Sequence, residues 1–231
     1  MRIPLTKYGL PQVVVFPVIN LIAMVVVLAA WPKSWSIRGI ILIEILLAAV
    51  LVWILSFFRD PERIIPVDKD ILLAPADGKI TDIEIVEEGN FIGAPAMRIG
   101  IFLSIFNAHI NRAPCSVKVE SITYKRGKFT NAMNPQSGRV NESNDLALVR
   151  TDNPKDKLIV RQISGAIARR IVCEAKQAGQ LTAGEKFGML KFGSRTELYV
   201  PVNENTKCLV RIGDKVKAGL TPLVKYETRN K

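Results

Sequence analysis

Two long apolar runs open the chain, residues 13–31 (VVVFPVINLIAMVVVLAAW) and 39–58 (GIILIEILLAAVLVWILSFF). Each comes close to the roughly 20 residues an α-helix needs to cross a bilayer. The intervening PKSWSIR leaves room only for a tight turn. The pattern therefore predicts a helical hairpin, transmembrane or embedded in the membrane, with both outer ends on one side. Asn20 and Glu44 interrupt the runs. Glu44 lies near the start of its run, where a carboxylate can reach the headgroups or meet the other helix. A second span follows the first at once and neither ends in a clear small-residue cleavage site, which argues against a removable signal peptide.

After RDPERIIP, where Pro61 and Pro66 end the helical pattern, the chain turns to short β-rich runs punctuated by glycine. These are 79–89, 97–106, 116–127, 145–151 and 157–163. Only 165–178, GAIARRIVCEAKQA, reads as a helix, closed by Gly179. The expected organisation is an anchor over 1–58 and one mainly β (α+β) domain over 59–231. Two stretches, ADGKITDIEIVEEGNFIGAPAMRIGIF and IGDKVKAGLTPLVKY, resemble the glycine-punctuated hairpins of biotinyl and lipoyl domains, predicting a β-sandwich of that character. Neither carries an evident lysine-bearing tip, so no carrier function is implied.

Composition adds a net charge of +11 and three cysteines. Cys115, Cys173 and Cys208 show no CxxC or Cys/His metal spacing, so neither a disulfide framework nor a zinc site is expected, and a reducing compartment fits. The basic surplus suits nucleic acid, anionic lipid or mere solubility. On charge alone these stay open, and what accompanies the charge must decide between lipid and nucleic acid. Arg2, Lys7, Arg59, Arg63 and Lys69 flank the hairpin against Lys33 and Arg38 in its turn, which places the domain on the cytoplasmic side of the inner membrane.

Candidate chemistry is sparse. His109, the one histidine, leaves the apolar run of FLSIFNAHINRAP at the kind of strand end where sites sit. Asp77 stands in an Asp-Gly pair, by itself an ordinary turn. Ser194 follows Gly193 within GEKFGMLKFGSRTELYVP. A serine hydroxyl can attack the carbonyl before it if the backbone is held strained, and glycine shields that carbonyl least.

These residues resemble the phosphatidylserine decarboxylases, and specifically their short bacterial and archaeal branch. The likeness runs in order through FFRDPER (57–63), APADGKI (74–80), FLSIFNAHINRAP (102–114), YKRGKFTNA (124–132), QISGAIARRIVC (162–173) and GEKFGMLKFGSRTELYVP (184–201). It implies a zymogen that cuts itself between Gly193 and Ser194, converting Ser194 to a covalent pyruvoyl cofactor, with no metal and no pyridoxal phosphate. The fragments 1–193 and 194–231 would stay together as a heterodimer or a higher oligomer. The pyruvoyl ketone would form a Schiff base with phosphatidylserine in the membrane and, after loss of carbon dioxide, yield phosphatidylethanolamine. Position by position, His109 matches the histidine of the decarboxylation step and Asp77 the acid of serine activation. Many long-type members carry a second histidine where this chain has Arg112, so a relay through that histidine is impossible here. Arg112 is instead a candidate contact for the substrate carboxylate or phosphate, or a structural ion-pair partner. The segment 126–144 has the composition of a mobile loop over a headgroup or of an ordinary surface loop. The remaining alternatives are the same reaction on an ether lipid, archaetidylserine, and a catalytically inactive membrane-bound relative.

Overall fold

The computed structural model describes residues 4–32, 34–166, 170–191 and 193–226. The chain divides into two compact units, Met1–Glu62 and Arg63–Lys231.

The first unit is a pair of helices, α1 (Gln12–Ala30) and α2 (Ile37–Phe57). Both are long and apolar enough to cross a membrane, with mean hydropathy 2.8 in each. Their apolar side chains point outward all round, including Val14, Ile19, Val25, Leu42 and Val52. A helix apolar on every side needs a lipid or protein surround. Ser36 caps α2 by accepting from Arg38 N at 3.3 Å. At the turn, Trp31 and Trp35 stack edge to face, 5.3 Å between centroids, as aromatics do at membrane interfaces. At the other end, Thr6 N donates to Phe58 O at 2.9 Å and Asp60 N to Pro4 O at 2.7 Å, so the two outer ends are tied together. Asn20 is buried, lining a groove with Phe16, Ile19, Ala23, Val50 and Ile54.

The second unit is mainly β. In order come β1 (Ile71–Leu73), β2 (Gly78–Glu88), β3 (Ala94–Leu103), β4 (Ile110–Arg112), β5 (Val117–Lys125), a short helix α3 (Ser137–Val140), β6 (Ser143–Arg150), β7 (Lys157–Ile163), β8 (Ile171–Cys173) and β9 (Gln180–Leu181). Then follow β10 (Lys186–Leu190), β11 (Ser194–Pro201), β12 (Thr206–Cys208), β13 (Lys215–Val216) and β14 (Pro222–Tyr226). An antiparallel eight-stranded sheet runs β13-β2-β3-β11-β7-β6-β5-β9, accompanied by three-stranded sheets β1-β14-β12 and β4-β10-β8. Period-2 alternation buries Ile80, Ile99, Ile101, Leu146, Leu148, Val160, Leu198 and Val200 on one face in a common apolar core.

The five strand-like runs read from the sequence are β2, β3, β5, β6 and β7. The helix expected over 165–178 is not there: β8 occupies Ile171–Cys173, and 167–169 lie outside the described residues. β-Branched Ile171 and Val172 pair with Leu190 and Met189, and this edge position overrides the local helical composition. Of the two glycine-punctuated stretches, the early one forms the β2–β3 hairpin. The late one splits, with β13 on β2 and β14 between β1 and β12.

Among the described residues the three cysteines are free. Burial pushes the Cys115 thiol up to about 12, only partly opposed by Arg150, and burial likewise raises Cys173. The thiolate is the reactive form. Native protein treated with iodoacetamide at pH 8 should therefore label Cys208 first and leave Cys115 unmodified, as read by peptide mass spectrometry. Early labelling of Cys115 would contradict this packing.

Candidate active site

Ser194 opens β11, the strand held between β3 and β7 in the middle of the large sheet, directly opposite Leu103. Gly193 before it has φ +61°, in the left-handed region. An added Cβ there would meet nothing within 4 Å, so the backbone angle, not space, calls for glycine. The Ser194 side chain is fully buried, 0% exposed, and its Oγ has no hydrogen-bond partner among the described residues. A desolvated hydroxyl left unsatisfied is costly and calls for an explanation beyond folding. Gly165 packs against the carbonyl oxygen of Gly193 so closely that any side chain at 165 would collide with it. Phe102, Ser104, Ile105, Asn131, Ala132, Ala166 and Gly193 line a cavity of about 400 Å³ at this junction.

The residues after Ser194 alternate between two very different surroundings. Thr196, like Ser194, lies on the side of Leu198 and Val200. Its Oγ1 accepts from Asn111 Nδ2 at 3.0 Å, Asn111 Oδ1 accepts from Gln162 Nε2 at 2.9 Å, and Gln162 Oε1 accepts from Asn144 Nδ2 at 3.1 Å. This buried amide file ties β4, β11, β7 and β6 together beside the junction.

Arg195 and Glu197 point to the opposite face, yet both are 0% exposed. Arg195 donates from Nη2 to both oxygens of Asp82 at 2.7 and 2.6 Å, from Nε to Glu197 Oε1 at 2.7 Å, and from Nη1 to Thr81 Oγ1 at 2.7 Å. Arg98 reaches Asp82 and Glu84, and Arg161 makes two 2.6 Å bonds to Asp145. Tyr199 Oη donates to Glu197 Oε2 at 2.7 Å. Burial pulls the Arg195 pKa down, but Glu197 and Asp82 overcome it and hold the guanidinium above its usual value. Burial, then Glu197, raises the Tyr199 phenol, keeping it a donor. The lack of side chains at Gly100 and Gly138 leaves room for the Arg195 guanidinium and the Glu197 carboxylate respectively.

The other residues nominated from sequence occupy distinct places. His109 is 0% exposed at the entry to β4, and its carbonyl accepts from Leu190 N at 3.1 Å, at the end of β10 that leads to Gly193. Its Nδ1 lies 2.9 Å from Asn107 O. A carbonyl only accepts, so Nδ1 carries the proton and Nε2 is the basic nitrogen. The Asp77 carboxylate accepts from Arg63 Nη1 at 2.6 Å, Arg63 Nη2 at 2.8 Å and Ala218 N at 2.8 Å. Its hydrogen bonds thus go to Arg63 and Ala218, not to Ser194. Arg112 is buried, with Nη1 on Gly184 O at 3.0 Å.

Several contributors escaped the sequence reading. Arg63 was counted only among the charges flanking the hairpin, and Gly165 lay in QISGAIARRIVC without an assigned role. Asp82, Arg195 and Glu197 carried no assignment, because a charged residue in a strand gives no local sign that its face is covered. Lys191, buried two residues before Gly193, has its ammonium pKa lowered by burial and by Arg170.

Fold and site together define a β domain preceded by two apolar helices, with a desolvated Gly-Ser junction set into the centre of its large sheet. The chain belongs to the phosphatidylserine decarboxylase family, whose model matches residues 50–223. It is 37% identical over 225 residues to a phosphatidylserine decarboxylase proenzyme of Rhodopirellula baltica, covering 97% of this chain and 89% of that protein. A proenzyme of the same name from Desulfotalea psychrophila is 44% identical over 169 residues, covering 73% and 77%, and one from Syntrophus aciditrophicus is 36% identical over 219, covering 95% and 96%.

Proposed function

We propose that this protein is a phosphatidylserine decarboxylase made as a proenzyme that cleaves itself between Gly193 and Ser194. The observation that carries the reading is the buried Ser194 Oγ, without a hydrogen-bond partner among the described residues and next to a left-handed glycine whose carbonyl packs on Gly165. Ser194 Oγ attacks the Gly193 carbonyl carbon; the C–N bond breaks, the nitrogen takes the hydroxyl proton, and an ester joins the two halves. Loss of the Ser194 Cα proton expels Gly193 as a carboxylate and leaves a dehydroalanine. Its imine tautomer is hydrolysed, releasing ammonia and leaving a pyruvoyl group on Arg195 N.

That group supplies a ketone conjugated to an amide carbonyl, an electron sink for the pair released with carbon dioxide. The surroundings suit it. The Arg195 side chain holds the residue that carries the new terminus, and the 400 Å³ cavity adjoins position 193. The small fragment 194–231 would be retained because β11 lies between β3 and β7, while β13 and β14 pair with β2 and β1.

His109, with Nδ1 fixed by Asn107 O, moves protons through Nε2 in both processing and decarboxylation. Asp77 contributes by holding, with Arg63 and Ala218 N, the segment entering β2. Arg112 supports the backbone through Nη1 on Gly184 O, a structural role beside its candidacy as a substrate contact. The β2–β3 hairpin with β13 laid on β2 is the part of the fold we read as biotinyl/lipoyl-like, with a structural role. The substrate is a membrane phospholipid. We read the hairpin over 1–58 as the anchor of the domain of 59–231, and the basic excess at its outer ends supports a position for that domain on the cytoplasmic side of the inner membrane.

Intact mass spectrometry tests this. Wild-type protein should give two masses broken at 193/194, the smaller blocked at its N-terminus and bearing a ketone. His109→Ala should remain largely uncut. A single uncut wild-type mass would remove the central reading, and full processing of His109→Ala would restrict His109 to decarboxylation.

A further inference from the structure

The cavity beside Gly193 opens between two segments with an unusual surface. The turn after β3 presents Phe106, 70% exposed, and the loop between β5 and β6 presents Met133, 55% exposed, with Phe129 and Val140 also turned outward. Their immediate neighbours Ser104, Ile105, Asn131 and Ala132 line the cavity itself, so these apolar tips flank its mouth. Around them stand Lys125, Arg126, Lys128 and Arg139, all exposed, and residues 121–141 contain no acid. Glu142, just beyond, is half-buried and paired with Tyr124.

The loop is pinned. Asn141, fully buried, accepts from Thr130 N at 3.0 Å and Thr130 Oγ1 at 2.7 Å, and donates to Thr130 O at 2.9 Å and Ser164 O at 2.8 Å. Lys125 Nζ closes it further on Arg139 O at 3.1 Å. A loop closed on its own side chains displays its tip at little ordering cost.

We propose that this apolar-tipped basic rim is a membrane-docking surface, seating the cavity mouth on a bilayer that contains anionic phospholipid. The inference rests on the reading of the cavity as the site of a lipid-modifying enzyme. Apolar tips enter the headgroup boundary while the cations meet anionic lipid. The single sign of the charge selects this occupant over a second copy of the chain, since two such rims would repel each other.

The test uses full-length protein in vesicles, with Cys173→Ala and Cys208→Ser so that one introduced cysteine carries an environment-sensitive fluorophore. The reporter is Met133→Cys. The control is Asn90→Cys, in the β2–β3 turn at the opposite end of the strands from Ser194. Vesicles are phosphatidylcholine alone or with roughly one-third phosphatidylglycerol, and a spin-labelled lipid is the quencher. We expect strong quenching at 133 and little at 90 with phosphatidylglycerol, largely lost when Lys125, Arg126 and Lys128 become Gln. Each basic residue near a surface is worth about fivefold in binding, so the triple change weakens docking on the order of a hundredfold. Equal quenching at 133 and 90, or the same quenching without anionic lipid, overturns the proposal. So does a concentration-dependent shift of the 133 probe in detergent, which would mark a contact between copies. Fragment masses of the triple variant report self-cleavage separately, so failure of docking and failure of the proenzyme reading remain distinguishable.

Discussion

Ser194→Ala is expected to give one uncut chain of full mass, no ketone, and decarboxylation of phosphatidylserine below detection. The loss is complete because in the proposed mechanism one residue supplies both stages: its Oγ is the nucleophile of the acyl shift, and its carbon skeleton becomes the cofactor. The variant is a clean probe. Since Oγ makes no hydrogen bond among the described residues, its removal abandons no bond, and deleting a desolvated hydroxyl is neutral or stabilising. Thermal unfolding should therefore stay within a few degrees of an equally uncut reference, such as freshly made precursor. A variant that still splits at 193/194, or that fails to fold, would count against the geometry described for this junction.

Arg195→Met should have the largest effect on stability. The guanidinium is fully buried and bonded to Asp82, Glu197 and Thr81, so its loss leaves two buried carboxylates short of their main cation. Breaking a buried pair from one side costs roughly 3–5 kcal/mol. Asp82 keeps Thr81 and Arg98, and Glu197 keeps Tyr199, which argues for the lower part of that range. A fall in melting temperature on the order of 10 °C follows for a domain of this size. Slower processing should accompany it, because Arg195 is the next residue after Ser194, which begins the strand at the proposed scissile bond. Adding Asp82→Asn should cost less than the sum of the two single changes, since both act on one network. Strict additivity, or a loss below about 1 kcal/mol, would show that the network does not support β11.

Much of the second unit was legible as pattern. Alternating β-branched and polar residues marked β2, β3, β5, β6 and β7, because a two-residue period records which side chains share a face. The region 165–178 misled because alanines and charges score as helix in isolation, whereas Ile171–Cys173 are placed by pairing with Gly188–Leu190. Ser194, Gly193 and His109 stood out through segment likeness and through the scarcity of other chemistry. Asp77 was legible as a residue but not in its partners, since Arg63 and Ala218 lie 14 and 141 positions away.

From its sequence alone this protein was determined to be an apolar helical hairpin followed by a β domain with a Gly-Ser junction. Apolar length and strand periodicity are local properties, and they survive without knowledge of the fold. Only the tertiary structure decided that Arg195 and Glu197 are buried. Alternation says which face a residue occupies and not whether that face is covered, and here Gly138 of the 126–142 loop sits over Glu197. The same holds for Gly165, whose missing side chain matters only because β11 and the segment after β7 bring it against the Gly193 carbonyl.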